Sequence, residues 1–329
     1  MPPARRPAPV AVGGVLVALA LTACGGATST PLSTASAHAS GPSARALPST
    51  SSTSSTSAAG PSSRPIGAST SASAPRPSPP PGVTWHVVAQ SDGLRRATTD
   101  RGRITLLWLD PTRLRFRFVP GTRWPEGSPV APTDTAPSTW TSGMVAAFDG
   151  GFKLSDHVGG YYYRGRTVAA LRPGLAAFTV TSDGVLHVGV WGADLHLTPA
   201  TTVVRENLPP IVLAGADRAR PTDRVSTWGT TLGRRTAVNR SSLGRLPDGG
   251  LVFLVGHDVT PREVGDALVG IGVREAMMLD MNVLWPTGYL YSHSGSHITG
   301  SKIAGWIARP PSIYYSRFTK DFVVVAPRT

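Results

Sequence analysis

The sequence predicts an α+β fold dominated by strands, a β-rich mixed sheet with few helices. Short runs of Val, Leu, Thr, Tyr and Trp recur between Gly and Pro residues, the pattern of many short strands. Helical periodicity is clear only around residues 261 to 271, where a strand, a helix and a second strand follow one another over about 251–280. The stretch from Thr84 to Thr329 is long enough for one domain with a sizeable core, and no fixed-period repeat runs through it.

Residues 1–24 read as a lipoprotein signal peptide outside the fold. Arg5 and Arg6 precede an apolar stretch from Val10 to Leu21, too short and too rich in Gly and Ala for a good membrane span. Leu21-Thr22-Ala23-Cys24 then resembles a bacterial lipobox, with Cys24 as the lipidated residue that ties the chain to the membrane. An ordinary signal peptide with an incidental Cys is the alternative. Cys24 is the only cysteine, so the mature domain has no intramolecular disulfide, Cys metal site or Cys nucleophile.

Residues 25–83 are almost entirely Ser, Thr, Ala, Pro and Gly, with no acid and no aromatic. Such a composition cannot bury enough apolar surface to offset chain entropy, which predicts a disordered tether. As a flexible coil it would span on the order of 40 Å, stiffer near Pro75 to Pro81. Residues 84–139 are expected as an N-terminal β-rich extension, with strands at Ile104–Leu109 and Leu114–Val119. Further strands are expected at Ala176–Thr181, Val185–Trp191 and Phe322–Val325.

Two apolar runs break onto a lone carboxylate. Val145-Ala146-Ala147-Phe148-Asp149 is followed by Gly150-Gly151-Phe152, and Ala276-Met277-Met278-Leu279-Asp280 by Met281-Asn282. Each reads as a buried strand whose terminal acid sits where the sheet opens to solvent. The glycines permit a tight turn and a close approach of backbone to ligand. Taken alone, either acid is more simply read as a strand or turn cap. Leu251–Val255 forms another strand, and Thr260, Pro261 and Glu263 form a capping box that starts a helix. Val264, Leu268 and Ile271 share its apolar face, and Gly270 and Gly272 end it. The strand ending at Asp280 follows, which puts that carboxylate where open sheets place their ligand crevices.

These pieces together resemble the phosphodiester glycosidase family, whose animal member removes N-acetylglucosamine from a sugar-1-phosphodiester on lysosomal enzymes. The family carries an Asn-Gly-Gly-Phe-Phe turn, an Arg-Thr pair, a Gly-x-Thr-x-x-Glu helix start and a Leu-Asp-Gly-Gly-Gly-Ser strand end. Gly150, Gly151 and Phe152 match the turn, Arg235-Thr236 the pair, Thr260 and Glu263 the helix start, and Leu279-Asp280 the strand end. The matches lie in sequence order over 140–329, the expected phosphodiester glycosidase-like domain. Asp149 replaces the family's amide, Asp258 a glycine, and Met281-Asn282-Val283-Leu284 the glycines and serine.

The resemblance implies hydrolysis of a glycosyl phosphodiester. A phosphate monoester leaves as a stable anion, so a general acid matters less and cations that hold phosphate matter more. Arg235 of the matched pair, beside Thr236, is the expected two-point phosphate grip, with Arg234 adjacent. Asp280 is the expected carboxylate that activates water or stabilises charge on the sugar ring, with Asp149 as its partner across a cleft. His257, at a strand end, is a candidate acid or base, and His293 with His297 can line the cleft mouth. Gly150, Gly151, Asn282 and His293 complete the expected substrate contacts. Trp285 and Tyr161-Tyr162-Tyr163 are candidate stacking surfaces, although alternate tyrosines in a strand commonly pack inward. Asp149, Asp280 and Asn282 are the oxygen donors for calcium or magnesium, should a cation bind.

The net charge is +13, with Lys only at 153, 302 and 320. Five positive charges lie at Arg5, Arg6, Arg45, Arg64 and Arg76, and no nucleic-acid-binding signature accompanies the remainder. The surplus fits anionic partners such as an envelope phosphoglycan or glycolipid. The expectation is an extracytoplasmic protein, lipid-anchored to the bacterial cell membrane, that cleaves such a substrate. A non-catalytic wall or phosphoglycan binding lipoprotein is the alternative, and a tethered surface interaction domain a third.

Overall fold

Largely apolar runs such as Ile104–Leu109 stay out of water only when both faces of their sheet are covered, and in the computed structural model both are. The structure describes residues 76–88, 91–123, 125–127 and 136–328. The fold is β-rich α+β, with three sheets and one α-helix among the described residues. The eight-stranded sheet runs, in spatial order, His86–Val87, Leu94–Thr99, Ile104–Leu109, Leu251–Val259, Val238–Arg245, Glu275–Met281, Val212–Leu213 and Ala216–Asp217. Side chains alternate across it. Leu107, Leu109, Phe253, Val255, Met277 and Leu279 face one core, while Leu106, Trp108, Val252, Leu254 and Met278 face the other. Each such side chain stabilises the fold by roughly 1.5–3 kcal/mol.

The first core is shared with two five-stranded sheets. One is ordered Arg166–Ala169, Tyr161–Tyr163, Thr201–Glu206, Ala176–Thr181 and Leu186–Val190. The other is ordered His297–Lys302, Gly288–Ser294, Ala146–Asp149, Phe322–Pro327 and Leu114–Val119. In the last of these strands Leu114, Phe116 and Phe118 point inward while Arg115 stays exposed, the alternation of a half-buried strand.

The second core is closed by the helix Pro261–Gly270, which presents Val264 and Leu268 with Ile271 just beyond its end. Both halves of the capping box form. The Glu263 N–H donates to Thr260 Oγ1 at 3.2 Å, and the Thr260 N–H donates to Glu263 Oε2 at 2.7 Å. Gly272, at φ +82°, turns the chain into the Glu275–Met281 strand.

The two strands flanking the helix do not pair, because Val238–Arg245 lies between them, antiparallel to both. Every ladder between the named strands is antiparallel. Three antiparallel sheets thus stand where one mixed sheet was expected, since the helix crosses over a strand instead of joining neighbours.

The described strands between 84 and 139 are woven into this framework. Ile104–Leu109 pairs with Leu251–Val259, and Leu114–Val119 with Phe322–Pro327. The expected lipobox, Cys24 and the tether as far as residue 75 lie outside the described residues. The last part of the tether stretch, 76–83, rests on the domain. Arg76 Nε is 3.5 Å from Asp110 Oδ2, the Ser78 N–H donates to Asp248 at 2.9 Å, and Trp85 Nε1 donates to the Pro80 carbonyl at 2.7 Å. Limited proteolysis with mass readout is therefore expected to leave a resistant fragment that begins near residue 76. Ready cleavage between 77 and 83 in the native protein would contradict this packing.

Candidate functional site

The ends of strands from all three sheets meet around Asp280. Ser241 Oγ, on the Val238–Arg245 strand, donates to Asp149 Oδ2 at 2.7 Å and accepts the Asp280 N–H at 3.0 Å. The Thr287 N–H donates to Asp149 Oδ1 at 2.9 Å. Asp149 thus lies behind Asp280, joined to its backbone through Ser241, and not across a cleft from it. Burial pushes the Asp149 carboxyl up to about 6, against the hydrogen bonds from Ser241 and Thr287.

A buried ion pair extends this floor. Arg205, which ends the apolar part of its strand, donates from Nε to Asp321 Oδ2 at 2.9 Å and from Nη2 to the Phe152 carbonyl at 2.6 Å. The Asn207 amide links Phe152 N–H to the Met278 carbonyl. Gly150 and Gly151 are needed here. A Cβ on Gly150 would lie 2.7 Å from Asp321 Oδ2, and one on Gly151, at φ +142°, 2.7 Å from Asn207 Nδ2. Their close approach is to this polar floor, so the ligand contact expected of them is not what the packing requires.

Above the floor a cavity of about 600 Å³ opens, lined by Phe152, Lys153, Asp280, Asn282, Trp285 and Lys320 among others. Asp280 is nearly the last residue of its strand. It is buried at 3% exposure, and its Oδ1 accepts the Met281 N–H at 2.7 Å while its Oδ2 pairs with Lys320 Nζ. It faces the cavity as half of an ion pair, not as the exposed carboxylate expected at an open sheet end. Burial pulls the Lys320 ammonium down to about 8, against the attraction of Asp321 and Asp149. At neutral pH it still carries its proton. Lys320 Nζ lies 5.0 Å from the centroid of the Trp285 ring, Lys153 Nζ 5.2 Å and Arg309 Cζ 4.9 Å. One indole is ringed by three cations.

The loop above is held by Arg240, which is buried and donates to the carbonyls of Trp228, Thr236 and Val259 at 3.1, 2.9 and 3.1 Å. Burial lowers its guanidinium to about 10. By fixing Trp228 it sets the position of Gly229 and Thr230, which line the cavity.

Other expected site residues lie away from this lining. Arg235 is 65% exposed and pairs with Asp258 at 2.7 Å, and Thr236 beside it is exposed. His257 Nδ1 lies 2.9 Å from Asn239 Oδ1, and its ring stacks on Trp306. His293 Nε2 lies 2.8 Å from the Met144 carbonyl, beside a different cavity. His297 lines neither that cavity nor this one. Tyr161 and Tyr163 pack inward.

Asp149, Asp280 and Asn282 do not fit a calcium or magnesium ion as arranged. Both Asp149 oxygens accept protein hydrogen bonds, and the Lys320 ammonium takes the cation position beside Asp280. Among the described residues no three His, Cys, Asp or Glu side chains form a metal cluster. A separate cavity of about 330 Å³ is lined by Arg115, Arg117 and Arg164. Its only carboxylate, Asp183, accepts a hydrogen bond from Thr181.

Lys320, Lys153, Arg205 and Arg240 were not singled out from sequence. A signal for the lysines existed, because two of only three in an Arg-rich chain converge on one cavity.

Replacing Asp149 by Asn mimics its protonated form. Because its folded pKa is raised, Asp149 contributes stability that is present below about 4 and is lost as pH rises through about 6, on the order of 3 kcal/mol. Asp149→Asn is expected to flatten that loss relative to the wild type. Urea unfolding at intervals from pH 4 to 7 reads it, and parallel curves for the two proteins would contradict the assignment.

No family model matches the chain, and neither does any curated protein. Among solved structures the chain is similar to the zebrafish N-acetylglucosamine-1-phosphodiester alpha-N-acetylglucosaminidase catalytic domain, auto-inhibited by its pro-peptide. The identity is 14% and the TM-score 0.42, over 75% of this chain and 83% of that one. It is also similar to a hypothetical protein from Synechocystis at 12% identity and TM-score 0.38, covering 75% of this chain and 62% of that one. A Burkholderia pseudomallei protein named for its expected export aligns at 11% identity and TM-score 0.29, over 71% and 74% of the two chains. Each is a distant likeness.

Proposed function

We propose that this chain hydrolyses a glycosyl phosphodiester of envelope glycans or lipids from an extracytoplasmic position, anchored through a lipidated Cys24. The observation that carries this reading is the convergence of Asp280, Lys320, Lys153 and Trp285 on one cavity. The ammonium groups suit a phosphodiester anion, and the indole face suits a sugar ring. The grip that the sequence assigned to Arg235 passes in this reading to the two lysines.

The substrate phosphate competes with Asp280 for Lys320 and frees the carboxylate. A water oxygen then attacks the anomeric carbon and gives its proton to Asp280, while the bond from that carbon to the phosphate oxygen breaks. Its electron pair leaves on the phosphate monoester, which needs no general acid.

The non-catalytic binding reading retains support from one observation. Asp280 is held in an ion pair by Lys320, so it can serve as a base only once that pair opens. Incubating the full-length protein with a panel of sugar-1-phosphate diesters and measuring free sugar separates the two. Release supports the hydrolase, and binding without release supports the alternative. For the anchor, Cys24→Ser is expected to shift the protein out of the membrane fraction, and unchanged fractionation would remove the lipid anchor from the account.

A further inference from the structure

The strand end at Asp280 leads into a turn at Asn282, whose left-handed φ of 73° is one that Asn tolerates better than most residues. That turn sends the next two side chains outward. Val283 is 63% exposed and Leu284 47%, and they are half of the four large hydrophobic side chains exposed among the described residues. They sit between Asn282 and Trp285, both of which line the Asp280 cavity. Arg309 Nε donates to the Leu284 carbonyl at 3.1 Å and carries its guanidinium over the Trp285 ring, so the apolar pair is held beside the cations. The family that the sequence resembles has only small residues at this point, so the aliphatic pair is an addition of this chain.

We infer that the group esterified to the substrate phosphate is a lipid: Lys320, Lys153 and Arg309 take the phosphate, and Val283 with Leu284 receives the first part of the alkyl or isoprenoid chain. This rests on reading the cavity as a phosphodiester site. Exposed aliphatic side chains are costly beside water and gain from covering, whereas a soluble sugar or polyol leaving group would leave them wet. Lys153, Lys320 and Arg309 set against Asp156 and Asp280 leave one net positive charge, which matches the single negative charge of a phosphodiester, and the adjoining apolar pair matches its tail. One amphipathic ligand satisfies both.

The test uses the full-length chain with Cys24→Ser, so that no acyl anchor contributes, and two sugar-free probes of equal charge. These are dimethyl phosphate and n-decyl methyl phosphate, with binding measured by calorimetry below the micellar range. The decyl diester is expected to bind at least about tenfold more tightly. Val283→Ser combined with Leu284→Ser is expected to bring the ratio close to one. Equal binding of the two probes by the unsubstituted loop, or a preference that survives the double substitution, overturns the inference. Sugar release is read in the separate assay with sugar-1-phosphate diesters, so the outcomes separate. Sugar release without a decyl preference rejects only the lipid, whereas failure of both probes together with no sugar release rejects the phosphodiester site itself.

Discussion

Arg205→Leu is expected to destabilise the protein by about 3–5 kcal/mol, the range found when one partner of a buried ion pair is removed. Arg205 is 1% exposed and Asp321 not at all, and the 2.9 Å contact between them is the only salt bridge described for either. The substitution leaves the Asp321 carboxylate in the interior without its cation and the Phe152 carbonyl without its 2.6 Å donor. The orphaned acid would hold its proton more tightly, so the loss should shrink as the pH falls below the range where Asp321 ionises. Urea unfolding at pH 7 and pH 5 measures both effects. Replacing Asp321 by Leu as well should recover part of the loss, because no lone charge then stays buried. A cost below about 1 kcal/mol at pH 7 would show that the pair does not hold the floor together.

Much of the fold was legible because it depends on local pattern. Ile104–Leu109, Leu114–Val119 and Ala176–Thr181 form with the bounds their composition predicts, and the capping box at Thr260 starts the helix where expected. Sheet membership was not legible. Nothing local tells Ile104–Leu109 to join Leu251–Val259 while Leu114–Val119, a few residues on, joins Phe322–Pro327. Those choices depend on which apolar faces meet after collapse, and they made the strands of 84–139 inseparable from the rest.

Of the residues expected at the site, Asp280, Asn282 and Trp285 line this cavity and the others lie elsewhere. Asp280 lines the cavity because an apolar strand ends there. The same signature at Asp149 led to a different place, since the Ser241 hydroxyl and the Thr287 N–H draw that carboxylate into the floor. Arg205 carries the signature too, where Val203-Val204 gives way to Arg205-Glu206-Asn207. The partners of these groups come from far along the chain, Lys320 for Asp280 and Asp321 for Arg205, and spacing cannot reveal such pairings. Arg235 matched a motif in sequence yet finds its carboxylate at Asp258, on the exposed side of the loop.

Asp280→Asn carries the central claim, that the cavity between Lys320 and Trp285 is where the phosphodiester is cleaved. The amide can still accept the Met281 N–H, but it cannot take a proton from water or balance charge on the sugar ring. The measurement is the rate of sugar release by wild-type and Asp280→Asn protein at saturating substrate, with near-ultraviolet circular dichroism and urea unfolding confirming that the variant is folded. The account predicts a fall in kcat on the order of 10²–10⁴, with KM no higher than in the wild type, because the amide no longer competes with the substrate phosphate for Lys320. A folded Asp280→Asn protein that releases sugar at the wild-type rate would contradict it.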